Sequence, residues 1–177
     1  DMDVDVVPAA WGGFSTEYKR PLYYIPDGSG DWMRTSPEIH NSYITTKNQE
    51  SRGKLRAVAQ LFKFWRVCRD PAIPISAFHI EMVLASEGIC TGVKSYAECM
   101  TELLQKMAER DCTGIRDPYN ISGNIAATKT EPQRATALAS VRNSREHAKA
   151  ALTAERLGRI NEALQQWNYV FNYKLLR

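Results

Sequence analysis

The stretch Asp1-Met2-Asp3-Val4-Asp5-Val6-Val7-Pro8 alternates acidic and apolar residues with a period of two. As a β-strand it places Asp1, Asp3 and Asp5 on one face and Met2, Val4 and Val6 on the other. Three carboxylates side by side repel one another, so such a strand is costly unless a cation offsets the charge. A hard divalent ion binds in this way, through one or two carboxylates plus substrate phosphates. A solvated edge strand with an acidic outer face has the same pattern, and the pattern alone leaves both open. Pro8 ends the strand, because it has no N–H to give to a ladder.

Outward from this strand the first 35 residues read as strands and turns. The aromatic run Leu22-Tyr23-Tyr24-Ile25 is closed by the turn signal Pro26-Asp27-Gly28-Ser29-Gly30, and Trp32 and Met33 fit a brief return strand. Everything after Thr35 reads as helix and loop. Ser36-Pro37-Glu38 starts a helix, with Ser as N-cap and Pro at the first helical position. Arg52 to Arg69 carries Leu55, Val58, Ala59, Phe62 and Trp65 at spacings of three and four, and Asp70-Pro71 ends it. Ser76 caps a helix carrying Phe78, Ile80, Met82, Val83 and Leu84, which Gly88 stops. Ser95 caps the next, with Tyr96, Cys99, Met100, Leu103, Leu104 and Met107 in its stripe. Arg116 to Thr130 reads as loop, and two helices follow from Glu131, the first of them Ala-rich.

Two or three strands ahead of five or six helices make an unbalanced whole, since so few strands cannot cover a core by themselves. The expectation is the C-terminal part of something longer, or a sheet completed by another segment. Within 177 residues, 44% apolar and 24% charged, the composition is that of a globular protein. A net charge of +3 permits contact with polyanions such as nucleotides but does not indicate a surface for duplex DNA. No run approaches the roughly 18 apolar residues of a membrane span. Cys68, Cys90, Cys99 and Cys112 form no C-x-x-C pair, which points to a reduced, cytoplasmic setting and away from zinc.

Read in order, the pieces form a pattern: Asp5-Val6-Val7-Pro8, Tyr24-Ile25-Pro26-Asp27, Trp32 with Thr35 and Pro37, Leu61-Phe62-Lys63-Phe64-Trp65, Phe78-His79-Ile80-Glu81, then Asp117-Pro118 with Asn124-Ile125-Ala126. This order resembles the cyclic-oligonucleotide synthases of bacterial anti-phage signalling. These are relatives of oligoadenylate synthase and cyclic GMP-AMP synthase among the polymerase-β-like nucleotidyltransferases. The resemblance implies an α+β fold: residues 1–35 would be the last strands of the catalytic sheet and residues 36–177 a helical domain of five or six helices. It also implies an enzyme that joins ATP and other ribonucleoside triphosphates into a cyclic second messenger, whose product activates a downstream effector.

Members of that family hold two metal ions, Mg²⁺ or Mn²⁺, with three carboxylates. Asp5 matches the third of these, beside the attacking hydroxyl, and two such cations stabilise charge on both oxygens of an in-line displacement. Asp3 is a weaker ligand candidate. The Gly-Ser motif and the acidic pair that precede this strand in the family are absent from the sequence, so activity requires an N-terminal nucleotidyltransferase segment. Lys63 matches the lysine that reaches the triphosphate; its plain reading is a surface lysine lying over Trp65. Ser76 and Phe78 match a phosphate-contacting serine and a base-stacking aromatic, although Ala77 separates them and could itself hold the serine's place. Arg56 and Arg66 read as solvated, His79 and Glu81 as structural, and Asp117 and Asn124 as loop-capping residues. Two other classes fit parts of the pattern: a template-independent RNA nucleotidyltransferase of the CCA-adding kind, and a non-catalytic helical interaction module.

Overall fold

A computed structural model describes residues 7–27 and 30–175 of the chain. Asp3 and Asp5 lie outside the described residues. The elements run β1 (Ala10–Phe14), β2 (Pro21–Pro26), β3 (Trp32–Thr35), α1 (Pro37–Glu50), α2 (Lys54–Val67), α3 (Ala77–Ser86) and α4 (Tyr96–Glu109). A two-residue hairpin follows, β4 (Ile115–Arg116) and β5 (Asn124–Ile125), then α5 (Glu131–Arg156) and α6 (Ile160–Val170).

β1, β2 and β3 form an antiparallel sheet in that order, with Tyr23 opposite both Trp11 and Thr35. β1 bulges between Trp11 and Phe14, where Gly13 takes a positive φ of 91° that a side chain would resist. Trp11, Phe14 and Trp32 stay more than half exposed on this sheet. The expected return strand at Trp32 and Met33 is present.

The helices enclose the main core. On α2 the stripe Leu55, Val58, Ala59, Phe62 and Trp65 is buried throughout, as its spacing dictates. Trp65 places its indole N–H on Ser144 Oγ of α5 at 2.9 Å, so the largest buried side chain also has its one polar atom satisfied. α5 presents Ala137, Val141, Ser144, Ala148 and Ala151 along one buried face; these small residues allow α4 and α6 to approach closely. Ser95 and Glu98 close a capping box on α4, satisfying two backbone donors at once.

Two local expectations are corrected. Ser36 precedes α1, but its hydroxyl does not cap the helix; it donates to the Pro21 carbonyl at 2.7 Å and ties the sheet to the helices. The segment 116–130 is not plain loop, since Ile115–Arg116 and Asn124–Ile125 pair as antiparallel strands. A pairing of two residues is too short to leave a period in the sequence.

A second, smaller core joins the sheet to the helices. Leu22 of β2, Ile39 of α1 and Ile121 of the β4–β5 loop bury one another, with Tyr18 and Tyr119 against them. The Tyr119 ring meets Tyr18 and Tyr43 edge-on at 5.1 Å and 5.4 Å. Arg34 Nε adds a bond to the Ile121 carbonyl at 3.4 Å. The β4–β5 loop is therefore the fastener between the two parts of the molecule.

Candidate nucleotide site

That loop is held by one buried carboxylate. Asp117 accepts the backbone N–H groups of Tyr119, Ile121 and Ser122 at 3.0, 3.1 and 2.8 Å. Its Oδ2 also accepts from His40 Nε2 of α1 at 3.0 Å, and both side chains are all but inaccessible to water. Burial opposes ionisation of Asp117, but the bonds from His40, Ser122 and Tyr119 outweigh it and hold the carboxyl down at about 2. The sequence reading of Asp117 as a residue that orders its loop matches this geometry. Its partner His40 lies 77 positions away and carried no signal in the sequence.

From this loop the chain runs through β5 into Ala126–Lys129, which forms one wall of a groove of about 660 Å³. The opposite wall is the segment between α2 and α3. Three hydrogen bonds fix it: Ile73 N–H to the Arg66 carbonyl (2.9 Å), Arg66 Nη1 to the Ile75 carbonyl (2.8 Å), and Ser76 N–H to the Ala127 carbonyl (2.8 Å). The last joins the two walls directly. Met33 and Asp27 from the sheet side complete the lining.

Ser76 and Phe78 both line this groove. Ser76 caps α3, its Oγ accepting the His79 N–H at 3.3 Å. The hydroxyl proton remains available to donate, since a hydroxyl has one donor as well as two acceptor lone pairs. Ser76 rather than Ala77 faces the groove. Phe78 is about one-third exposed, with its ring edge against His40 at 5.2 Å. The pair that orders the loop thus also seats Phe78, the one aromatic ring among the described residues of the groove lining.

Lys63 stands apart from the groove lining and pairs with Glu81 Oε1, tying α2 to α3. Arg66, read from the sequence as solvated, is the corrected residue. It is half-buried, lines the groove, and carries part of the groove's framework. Periodicity places Arg66 beside the buried Trp65, on the flank of the α2 stripe. The later segment 72–76 folds back over it, and sequence spacing does not report that. Glu81 and His79 take the structural places expected of them, one in the ion pair and the other buried in α3. Among the described residues no group of three or more His, Cys, Asp or Glu could hold a metal ion; the candidates Asp3 and Asp5 lie outside them. All four cysteines are free and buried, and no helix among the described residues is long and apolar enough to cross a membrane.

No family model matches the chain. It is 29% identical over 182 aligned residues to a probable cyclic nucleotide synthase of Bacillus cereus strain VD146, covering 97% of this chain and 51% of that protein. It is 32% identical over 66 residues to a cyclic AMP-AMP-AMP synthase of an Acinetobacter species, covering 37% of this chain and 18% of that one. Among solved structures, E. coli MS115-1 CdnC with ATP superposes with a TM-score of 0.74 at 20% identity, over 96% of this chain and 59% of that chain. Vibrio cholerae DncV cyclic AMP-GMP synthase, bound to the linear intermediate pppA(3′,5′)pG, gives 0.67 at 15% identity, over 89% of this chain and 41% of that chain. The chain shares the fold of the matching parts of CdnC and DncV, and its sequence likeness to cyclic nucleotide synthases bears out the resemblance to cyclic-oligonucleotide synthases. The chain spans about half the length of the first of these relatives.

Proposed function

We propose that this chain supplies the helical, nucleotide-binding part of a nucleotidyltransferase that joins ribonucleoside triphosphates into a cyclic oligonucleotide. The observation that carries this reading is the groove itself: Ser76 and Phe78, singled out from sequence as a phosphate and a base contact, lie together in it. The likeness to a structure solved with ATP supports the same reading. Phe78 offers a flat apolar face for a base, and the Ser76 hydroxyl a donor for a phosphate oxygen. Asp5, with Asp3 as a weaker ligand, would hold Mg²⁺ or Mn²⁺, which supplies charge stabilisation at the attacking and leaving oxygens. The remaining metal ligands would come from an N-terminal nucleotidyltransferase segment. The product would act as a second messenger in anti-phage signalling through an effector, and the enzyme would work in the cytoplasm.

Lys63 enters this reading through its ion pair. Its side chain is about two-fifths exposed, so the pair with Glu81 is weak enough to be shared with, or exchanged for, a phosphate oxygen. Replacing Lys63 with Met in the full-length protein is expected to weaken ATP binding about tenfold, or about 1.4 kcal/mol. Isothermal titration measures this directly. ATP affinity unchanged by Lys63→Met would leave the lysine as a structural tie between α2 and α3.

A further inference from the structure

We propose that Arg66 is a contact for the phosphate chain of a nucleoside triphosphate bound in the groove. The inference rests on the nucleotidyltransferase reading and adds to it a residue that the family resemblance does not supply.

Arg66 is placed by its own backbone and by its side chain. Its carbonyl accepts the Ile73 N–H, and its Nη1 donates to the Ile75 carbonyl at 2.8 Å, one residue before Ser76. The guanidinium is therefore held beside the serine at the start of α3, in the lining of the groove. One Nη1 bond leaves most of the fork's five donors to be used. Nε is enclosed and makes no hydrogen bond to protein. That leaves the second Nη1 proton and the two Nη2 protons as the donors for a bound anion. The charges in the described lining are Arg66, Lys129 and Asp27, an excess of one cation. A planar guanidinium already fixed at one end loses little freedom on gripping a phosphate, unlike a mobile lysine. Lys63 and Arg66 are three residues apart on α2 and so share one side of the helix, Lys63 at the Glu81 pair and Arg66 in the groove.

The test is calorimetric binding of ATP, adenosine and inorganic tripolyphosphate to the full-length protein and its Arg66→Gln and Arg66→Lys variants. Arg66→Gln is expected to lower ATP affinity at least tenfold while adenosine affinity stays within about twofold. Arg66→Lys keeps the charge but not the fork, and the preference for ATP over adenosine should fall only a few-fold. If ATP and adenosine weaken together in Arg66→Gln, the residue only supports the 73–76 segment and the proposal is wrong. Should Arg66→Gln fail to fold, Arg66→Lys decides, an unchanged ATP-to-adenosine ratio overturning the proposal. Wild-type binding of tripolyphosphate but not ATP, lost in Arg66→Gln, would keep the phosphate contact and reject the nucleotide reading. Wild-type binding of none of the three would reject both.

Discussion

Replacing Asp117 with Ala is expected to cost about 3–5 kcal/mol of folding stability, measured by denaturant titration. The carboxylate is buried and serves four donors, His40 Nε2 and the N–H groups of Tyr119, Ile121 and Ser122. Alanine leaves all four without an acceptor, and each buried donor so orphaned costs about 1–3 kcal/mol before relaxation. Ile121 belongs to the small core that joins sheet to helices, so the loss is not confined to the loop. Asp117→Asn should cost less, because one amide oxygen still accepts; it cannot serve both Tyr119 on the Oδ1 side and the three donors on the Oδ2 side. A loss under about 1 kcal/mol in Asp117→Ala would show that the loop is held by its apolar contacts instead.

Acid should destabilise the protein in two stages, the first governed by His79. This side chain is buried in α3, and burial lowers it from 6.5 to about 4, the Thr113 backbone acting in the other direction and Arg110 adding to the lowering. The unfolded chain takes up a proton near pH 6.5 that the folded chain refuses until about pH 4. Stability is therefore complete above pH 6.5 and declines towards pH 4, by about 3 kcal/mol at about 1.4 kcal/mol per unit. A second decline belongs to Asp117, whose depressed carboxyl contributes stability above 3.8 that is lost as pH falls to about 2. Urea midpoints between pH 7 and pH 4, compared with a His79→Gln variant, isolate the first stage. The wild type should lose its midpoint steadily over that range and the variant should be nearly flat; equal slopes would assign the decline to other groups.

Some of this molecule is legible in its sequence because the governing interaction is local. The α2 stripe is a matter of spacing, Ser95 with Glu98 is a four-residue motif, and Ser76 meets His79 three positions on. The strands at Tyr23 and Met33 follow from an aromatic run and a turn signal between them. What escapes the sequence depends on distant segments. His40 finds Asp117 across 77 positions, and Ser36 abandons its helix for the Pro21 carbonyl because the sheet passes overhead. Lys63 reads as a phosphate contact or a surface lysine and Glu81 as structural, but that the two pair shows only once α2 and α3 pack side by side. Arg66 looks solvated until the 73–76 segment returns to its carbonyl and guanidinium. The groove is thus half legible: Ser76 and Phe78 by motif, Arg66 and the 126–129 wall only by folding.

The reading of the chain as part of a metal-dependent nucleotidyltransferase is tested most directly by product formation. The full-length protein is incubated with all four ribonucleoside triphosphates and Mg²⁺ or Mn²⁺, and products are identified by mass. Wild type should yield oligonucleotides with the mass of a closed ring, and Asp5→Ala should yield none while folding as before. Products undiminished by Asp5→Ala would contradict the metal role of the acidic strand. No product from a wild-type protein that binds ATP, under either metal, would contradict synthesis itself.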